Sequence, residues 1–278
     1  GKWQDDSPVG GLSDLAWDED ESLLYMISDR GWLHRVRLRF SGDELVGLDP
    51  LKTYVLRDRQ GRALNEDAAD AESMIVQRGN NGVRGDTMLL VGFERNHRIQ
   101  RFYPNGKSVG KPLKPKWLRD IAFNTGAEAM GRHPREGIIV GLENAPSGSD
   151  KASSSGKSST RLFSLGSEAE WVYPLLNESG NALTALETYG SDLLALERAF
   201  APPAPLVISL RRVRLGSDGQ IDVDTLAQLS SGDGWRLDNF EGLTHLGGNR
   251  YLMVSDDNFR MVQETLLSCF ELPAPEDN

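Results

Sequence analysis

Five acidic residues, Asp29, Glu94, Glu143, Glu197 and Asp256, each close a short apolar run. The residues that follow them are Arg30, Arg95, Asn144, Arg198 and Asp257. Upstream of each run lies a second recurring position, occupied by Ser13, Glu72, Glu128, Thr184 and Glu241. These residue types point to three chemistries. Carboxylates, with an amide from Asn144 or Asn258 and backbone carbonyls, are the oxygen ligands that calcium prefers. Arginines hold anions and neutralise charge that develops on a reacting group. Recurrent Glu-Arg pairs can equally be salt bridges that brace neighbouring parts of a fold, and the residues alone leave these readings open. Carboxylates in such number cannot all stay ionised when crowded unless something compensates them.

The elements that would position these residues come from a repeat. One pattern recurs five times: a short strand, a turn, then an apolar strand with an acid at its end. The copies span residues 11–31, 71–96, 127–144, 183–198 and 240–258. They align on Leu15, Met74, Met130, Leu186 and Leu243, and the acidic strand ends are then 65, 49, 54 and 59 residues apart. That spacing suits a four-stranded propeller blade with variable loops. The stretches between copies also read as strands, such as Leu33 to Phe40 and Lys52 to Asp58, with a further short segment near Trp117. Turn-forming residues punctuate them, as at Asn105-Gly106 and Gly247-Gly248-Asn249. No helical periodicity of useful length occurs.

The expected architecture is all-β: a single β-propeller domain over residues 1–278, with five four-stranded blades. A sixth blade stays open if residues 41–70 hide further strands. The fifth copy is followed by one strand only, so Lys2 to Asp6 is expected to complete that blade and close the ring, leaving no free sheet edge. In a propeller the first strand of each blade lines the central channel. Glu72, Glu128 and Glu241 would therefore face one another, with Asp29, Glu94, Glu143, Glu197 and Asp256 as a second layer near the mouth. Adjacent residues of a strand point to opposite faces, so an acid and the arginine after it project the same way only at a bulge or strand end.

Composition removes several function classes. The net charge of -10 argues against nucleic acid as a partner. No apolar run is long enough for a transmembrane helix. The one cysteine, Cys269, lies among Leu266, Leu267 and Phe270 and reads as a buried, inert thiol. His34, His97, His133 and His245 are scattered and form no zinc motif. No Gly-x-Ser-x-Gly elbow supports a serine esterase. The Gly156-Lys157-Ser158 triplet lacks the glycine spacing and the helix of a phosphate loop.

Gly11-Leu12-Ser13, Ser28-Asp29-Arg30-Gly31, Glu197-Arg198, Asn239-Phe240-Glu241-Gly242-Leu243 and Ser255-Asp256-Asp257-Asn258-Phe259 resemble the phytase-like propellers named for an "esterase-like activity of phytase". The resemblance implies a bacterial protein exported to the periplasm or secreted. It also implies a calcium-dependent phosphoester or ester hydrolase that acts on a small anionic substrate at the channel mouth. On that implication Asp29, Arg30, Arg95, Glu197 and Arg198 are the candidate catalytic residues. Glu72, Glu128, Glu241 and Asn258 would bind ligand, and Glu94, Glu143, Asp256 and Asp257 would hold the metal. No lysine accompanies the acidic strand ends, unlike calcium-dependent propeller phytases, so phytate itself is a poor candidate substrate. The competing reading is a non-catalytic binding or scaffold propeller. A monomer is expected in either case.

Overall fold

The computed structural model describes residues 9–119, 121, 126–143, 158–257 and 263–275. The first blade comprises β1 (Leu12–Asp18), β2 (Leu23–Ser28), β3 (Trp32–Ser41) and β4 (Glu44–Val55). The second comprises β5 (Ala71–Gln77), β6 (Met88–Phe93), β7 (Arg98–Phe102) and β8 (Ser108–Leu113). The third holds β9 (Ala127–His133), β10 (Gly137–Leu142), β11 (Ser159–Ser164) and β12 (Glu170–Pro174). The fourth holds β13 (Asn181–Tyr189), β14 (Asp192–Ala199), β15 (Val207–Leu215) and β16 (Ile221–Ser230). The fifth has β17 (Asn239–Gly247), β18 (Arg250–Asp256) and β19 (Leu267–Glu271).

Every blade is an antiparallel meander in chain order, so each strand pairs with the next. Such local pairing follows from the short turns between strands, which cannot reach a distant partner. Asn105-Gly106 closes the β7–β8 hairpin, with Gly106 at φ 79°, where a side chain would be strained. The first strands pack on one another in a closed cycle: β1 on β5, β5 on β9, β9 on β13, β13 on β17, and β17 back on β1. The result is a five-bladed β-propeller, as the repeat implied. The stretch left open for a sixth blade is used by β4, which belongs to the first blade, and by a single helical turn, α1 (Glu66–Ala69).

Two expectations need amending. The outer strand of the second blade is β8, which ends before Trp117. Trp117 instead lies in a one-turn helix, α2 (Lys116–Arg119), which starts after Pro115, and its ring stacks on Phe163 at 4.5 Å. Proline favours the first turn of a helix over a sheet interior, which ends the strand there. The expected closing strand, Lys2 to Asp6, lies outside the described residues.

Each gap between blades has its own apolar core. Leu23, Tyr25 and Ile27 of the first blade meet Leu89, Val91 and Phe93 of the second. Leu90 and Ile99 meet Val140 across the next gap. Trp171 and Tyr173 meet Leu193 and Val213. Leu194 and Ile208 meet Phe240 and Tyr251. Leu252 and Val254 return to Leu24 and Met26. The apolar runs are thus buried on both blade faces, which is why they lack strict alternation. Among the described residues no helix is long and apolar enough to cross a membrane.

Candidate functional site

A one-residue β-bulge occurs at the same place in all five inner strands. Leu12 pairs with Ser28 and Asp14 with Ile27, which leaves Ser13 unpaired. In the same way Glu72 is skipped in β5, Glu128 in β9, Thr184 in β13 and Glu241 in β17. A bulge breaks the strict alternation of side chains and re-aims the extra residue. Here it places Ser13, Glu72, Glu128, Thr184 and Glu241 at one level of the channel.

The electrostatics show that the three glutamates share a centre. Burial and then the charges of Glu128 and Glu241 push Glu72 well above the usual carboxylate range. Burial, then Glu143, Glu94 and Glu241, do the same to Glu128. Burial raises Glu241 to about 8, although Arg198 opposes the rise. Removing water from a carboxylate favours its neutral form, and like charges nearby add to the effect.

A second layer lies nearer the mouth. Counted from the paired residues Leu15–Met26, Met74–Val91, Met130–Val140, Leu186–Ala195 and Leu243–Met253, three steps along the second strand lead to Asp29, Glu94, Glu143, Arg198 and Asp256. Asp29 is raised to about 6, mainly by burial, and its Oδ1 is buried with no hydrogen-bond partner. Glu94 is raised to about 7 by burial and then by the neighbouring Asp70. Two carboxylates this close repel one another when both are charged, and a cation between them would relieve that repulsion. Gly126 allows the approach of the third blade: a Cβ there would lie 2.6 Å from the Glu94 Cα.

Arg198 therefore stands where the other four blades carry an acid. It reaches Glu143 at 3.6 Å and Glu241 at 3.2 Å, and it also donates to Asn239. It binds glutamates of the two flanking blades, as the bracing reading expected. Arg95 pairs with Asp70 at 3.1 Å, and Arg30 acts on Asp29.

Glu197 is the exception among the expected mouth residues. It occupies the position of Ser28, Phe93, Leu142 and Ser255, one step before the acid layer, and is fully buried. Its carboxylate accepts from Tyr173 Oη at 2.6 Å, Arg211 Nη1 at 2.6 Å, Asn181 Nδ2 at 2.5 Å and the Leu176 amide at 3.0 Å. Matching acid to acid along the chain put it one residue out of register, and strand alternation then turned it into the blade. Asp257 lies beyond the fifth acid, where its Oδ1 accepts from the Gly11 amide at 2.9 Å and its Oδ2 from Thr265 at 3.2 Å. It thereby ties the fifth blade to the first. Asn258 and Asn144 lie outside the described residues.

Asp70 joins the site although the sequence reading passed it over. Oxygens of Asp70, Glu72 and Glu94 all lie within 4.8 Å of one another, close enough for one ion to reach all three. Asp70 precedes its bulge residue by two, as Asn239 precedes Glu241. The other blades have Gly11, Gly126 and Ala182 there, so no repeat of acids drew attention to it. The mouth thus gathers eight carboxylates, Asp29, Asp70, Glu72, Glu94, Glu128, Glu143, Glu241 and Asp256, against three guanidiniums, Arg30, Arg95 and Arg198. An all-oxygen, anion-rich donor set of this kind suits a hard divalent cation.

A family model described as "Phytase-like: Esterase-like activity of phytase" matches residues 7–259. Comparison with the curated proteins gives no match. Among solved structures, "Structure of U3-55K" is similar at 10% identity and a TM-score of 0.42, covering 90% of this chain and 76% of that one. "Crystal Structure Of The C-Terminal WD40 Domain Of Sif2" is similar at 9% identity and a TM-score of 0.38, covering 95% and 97%. Likenesses at this level carry no argument about function.

Proposed function

The chain belongs to the phytase-like, "esterase-like activity of phytase" family, and on that premise we propose that its acidic mouth binds calcium and hydrolyses a phosphoester or ester bond of a small anionic substrate. The observation that carries this reading is the convergence of Asp70, Glu72 and Glu94 within 4.8 Å, beside the partnerless buried Oδ1 of Asp29. Without a cation, burial and neighbouring charge favour the protonated forms of Glu72 and Glu94. With one they can ionise.

Asp70, Glu72 and Glu94 would hold the metal, with Asp29 adjacent. The bound cation would supply Lewis acidity and a fixed positive charge for an anionic substrate. Arg30 and Arg95, at the rim, would bind the substrate's anionic group and neutralise charge at its leaving oxygen. Asp29 is the candidate base. It is raised towards neutrality by burial and by Asp70, and it has an oxygen free to accept a proton from water. Arg198 would hold Glu143 and Glu241 in place. Glu197, closed in by Tyr173, Arg211 and Asn181, is reassigned from catalysis to bracing its blade. In this reading the protein is exported and acts as a monomer, which rests on the family likeness.

The test is hydrolysis of p-nitrophenyl phosphate and of short p-nitrophenyl acyl esters, with calcium and with chelator. Turnover that needs calcium and is lost in Glu72→Gln is the expected result. No turnover on any substrate would remove the hydrolase. A second reading, a non-catalytic binding propeller, is favoured by the Arg198 bridges to Glu143 and Glu241, which brace three blades without any ligand. Calcium-dependent stabilisation without turnover would select it.

A further inference from the structure

The opposite end of the channel holds a cavity of about 1450 Å³. Its floor includes Met74, Met130, Leu186 and Leu243, one from each of four inner strands and each nearly fully buried. None of the eight mouth carboxylates lines it. The floor side chains follow the bulged residues by two positions, so an apolar layer separates this cavity from the acidic mouth.

Its polar lining includes donors without acceptors. Trp17 lines the cavity, and its indole Nε1–H is buried with no hydrogen-bond partner. Arg78 and Arg132, from the second and third blades, also line it, and neither guanidinium has a partner among the described residues. Arg78 has φ 63°, in the left-handed region, and only Ser22 shares this among described non-glycine residues. Strain held at a ligand-facing residue points to a functional constraint. The acids of the cavity are largely engaged already. Glu187 accepts from the Thr188 amide at 2.6 Å and the His245 amide at 3.1 Å. Glu19 accepts from Asn80 at 2.5 Å, and Asp86 accepts from Asn81 at 3.1 Å and keeps one free oxygen.

We infer that this cavity is a second ligand site, which takes an organic anion with an apolar body. The apolar part rests on the methionine and leucine floor. The anionic group meets Arg78 and Arg132, and the Trp17 side chain flanks the apolar body. This site is independent of the acidic mouth and of any hydrolysis there.

The probe is 2-naphthoate, with 2-naphthalenemethanol as its neutral counterpart. Binding is read by calorimetry and by the Trp17 indole N–H resonance, assigned through its loss in Trp17→Phe. Naphthoate is expected to move that resonance. The Arg78→Gln/Arg132→Gln double variant should bind naphthoate about tenfold more weakly and the alcohol unchanged. Both substitutions are on exposed side chains, so the fold is retained and the melting curve checks it. Glu72→Gln with chelator should leave naphthoate binding intact. An unmoved resonance at millimolar naphthoate, equal affinity for the alcohol, or unchanged affinity in the double variant would overturn the inference. So would loss of binding in Glu72→Gln, which would place the probe at the other mouth.

Discussion

Replacing Glu241 by glutamine gives the sharpest test of the channel's electrostatics. Burial raises the Glu241 carboxyl from 4.5 to about 8, against the pull of Arg198. A group whose pKa is higher in the folded state stabilises the fold below its unfolded pKa. That stabilisation is lost as pH climbs through the folded value. The rise is about 3.5 pH units, and at about 1.36 kcal/mol each this is on the order of 5 kcal/mol, nearly all lost by pH 8. For a chain of this size that corresponds to a fall in melting temperature of about 10–20 °C. The assay is thermal denaturation from pH 5 to 8.5 in chelator, for wild type and Glu241→Gln. Glutamine keeps the shape and an acceptor for the Asn239 amide, which donates to Glu241 at 2.6 Å, but it cannot ionise. Wild type should therefore lose stability steeply with rising pH, and the variant much less so. Calcium should restore the wild type most at the highest pH, by about 2.7 kcal/mol at a hundred times its Kd. A wild-type melting temperature that is flat or rises from pH 5 to 8 would refute the reasoning. A variant curve as steep as wild type would do so too.

Other outcomes follow from the same geometry. Glu72→Gln removes one of three convergent oxygens and should weaken calcium by at least about 100-fold in calorimetry, with the fold intact. Calcium uptake at pH 7 should release protons, because Glu94, raised to about 7, must ionise to bind. Calorimetry in buffers of different ionisation enthalpy measures this, and affinity should increase from pH 5 to 8. Glu197→Ala strands the Arg211 guanidinium, now 2.6 Å from its carboxylate, in the blade interior. It should cost about 3–5 kcal/mol in chemical denaturation and leave calcium affinity unchanged.

Some of this was legible along the chain because it is local. The apolar anchors Leu15, Met74, Met130, Leu186 and Leu243 set the blade count, since strand pairing within a blade needs only near neighbours. Glu72, Glu128 and Glu241 sit two residues from those anchors, so their convergence followed once the blades formed a ring. Glu197 was assigned wrongly because acids were matched by type. The cross-strand register, counted from Leu186 and Ala195, gives that position to Arg198. Asp70 was overlooked because Gly11, Gly126 and Ala182 carry no acid at its level.

The amino-acid sequence by itself determined the five-fold repeat and the inner-strand positions of Glu72, Glu128 and Glu241, because strand period and turn spacing are short-range properties. Only the tertiary structure decided which charges meet. The bulge, the Arg198 bridges to Glu143 and Glu241, and the Asp70–Glu72–Glu94 cluster depend on cross-strand register and on the packing of one blade against the next. No local pattern encodes that packing, since it is set by the closure of the whole ring.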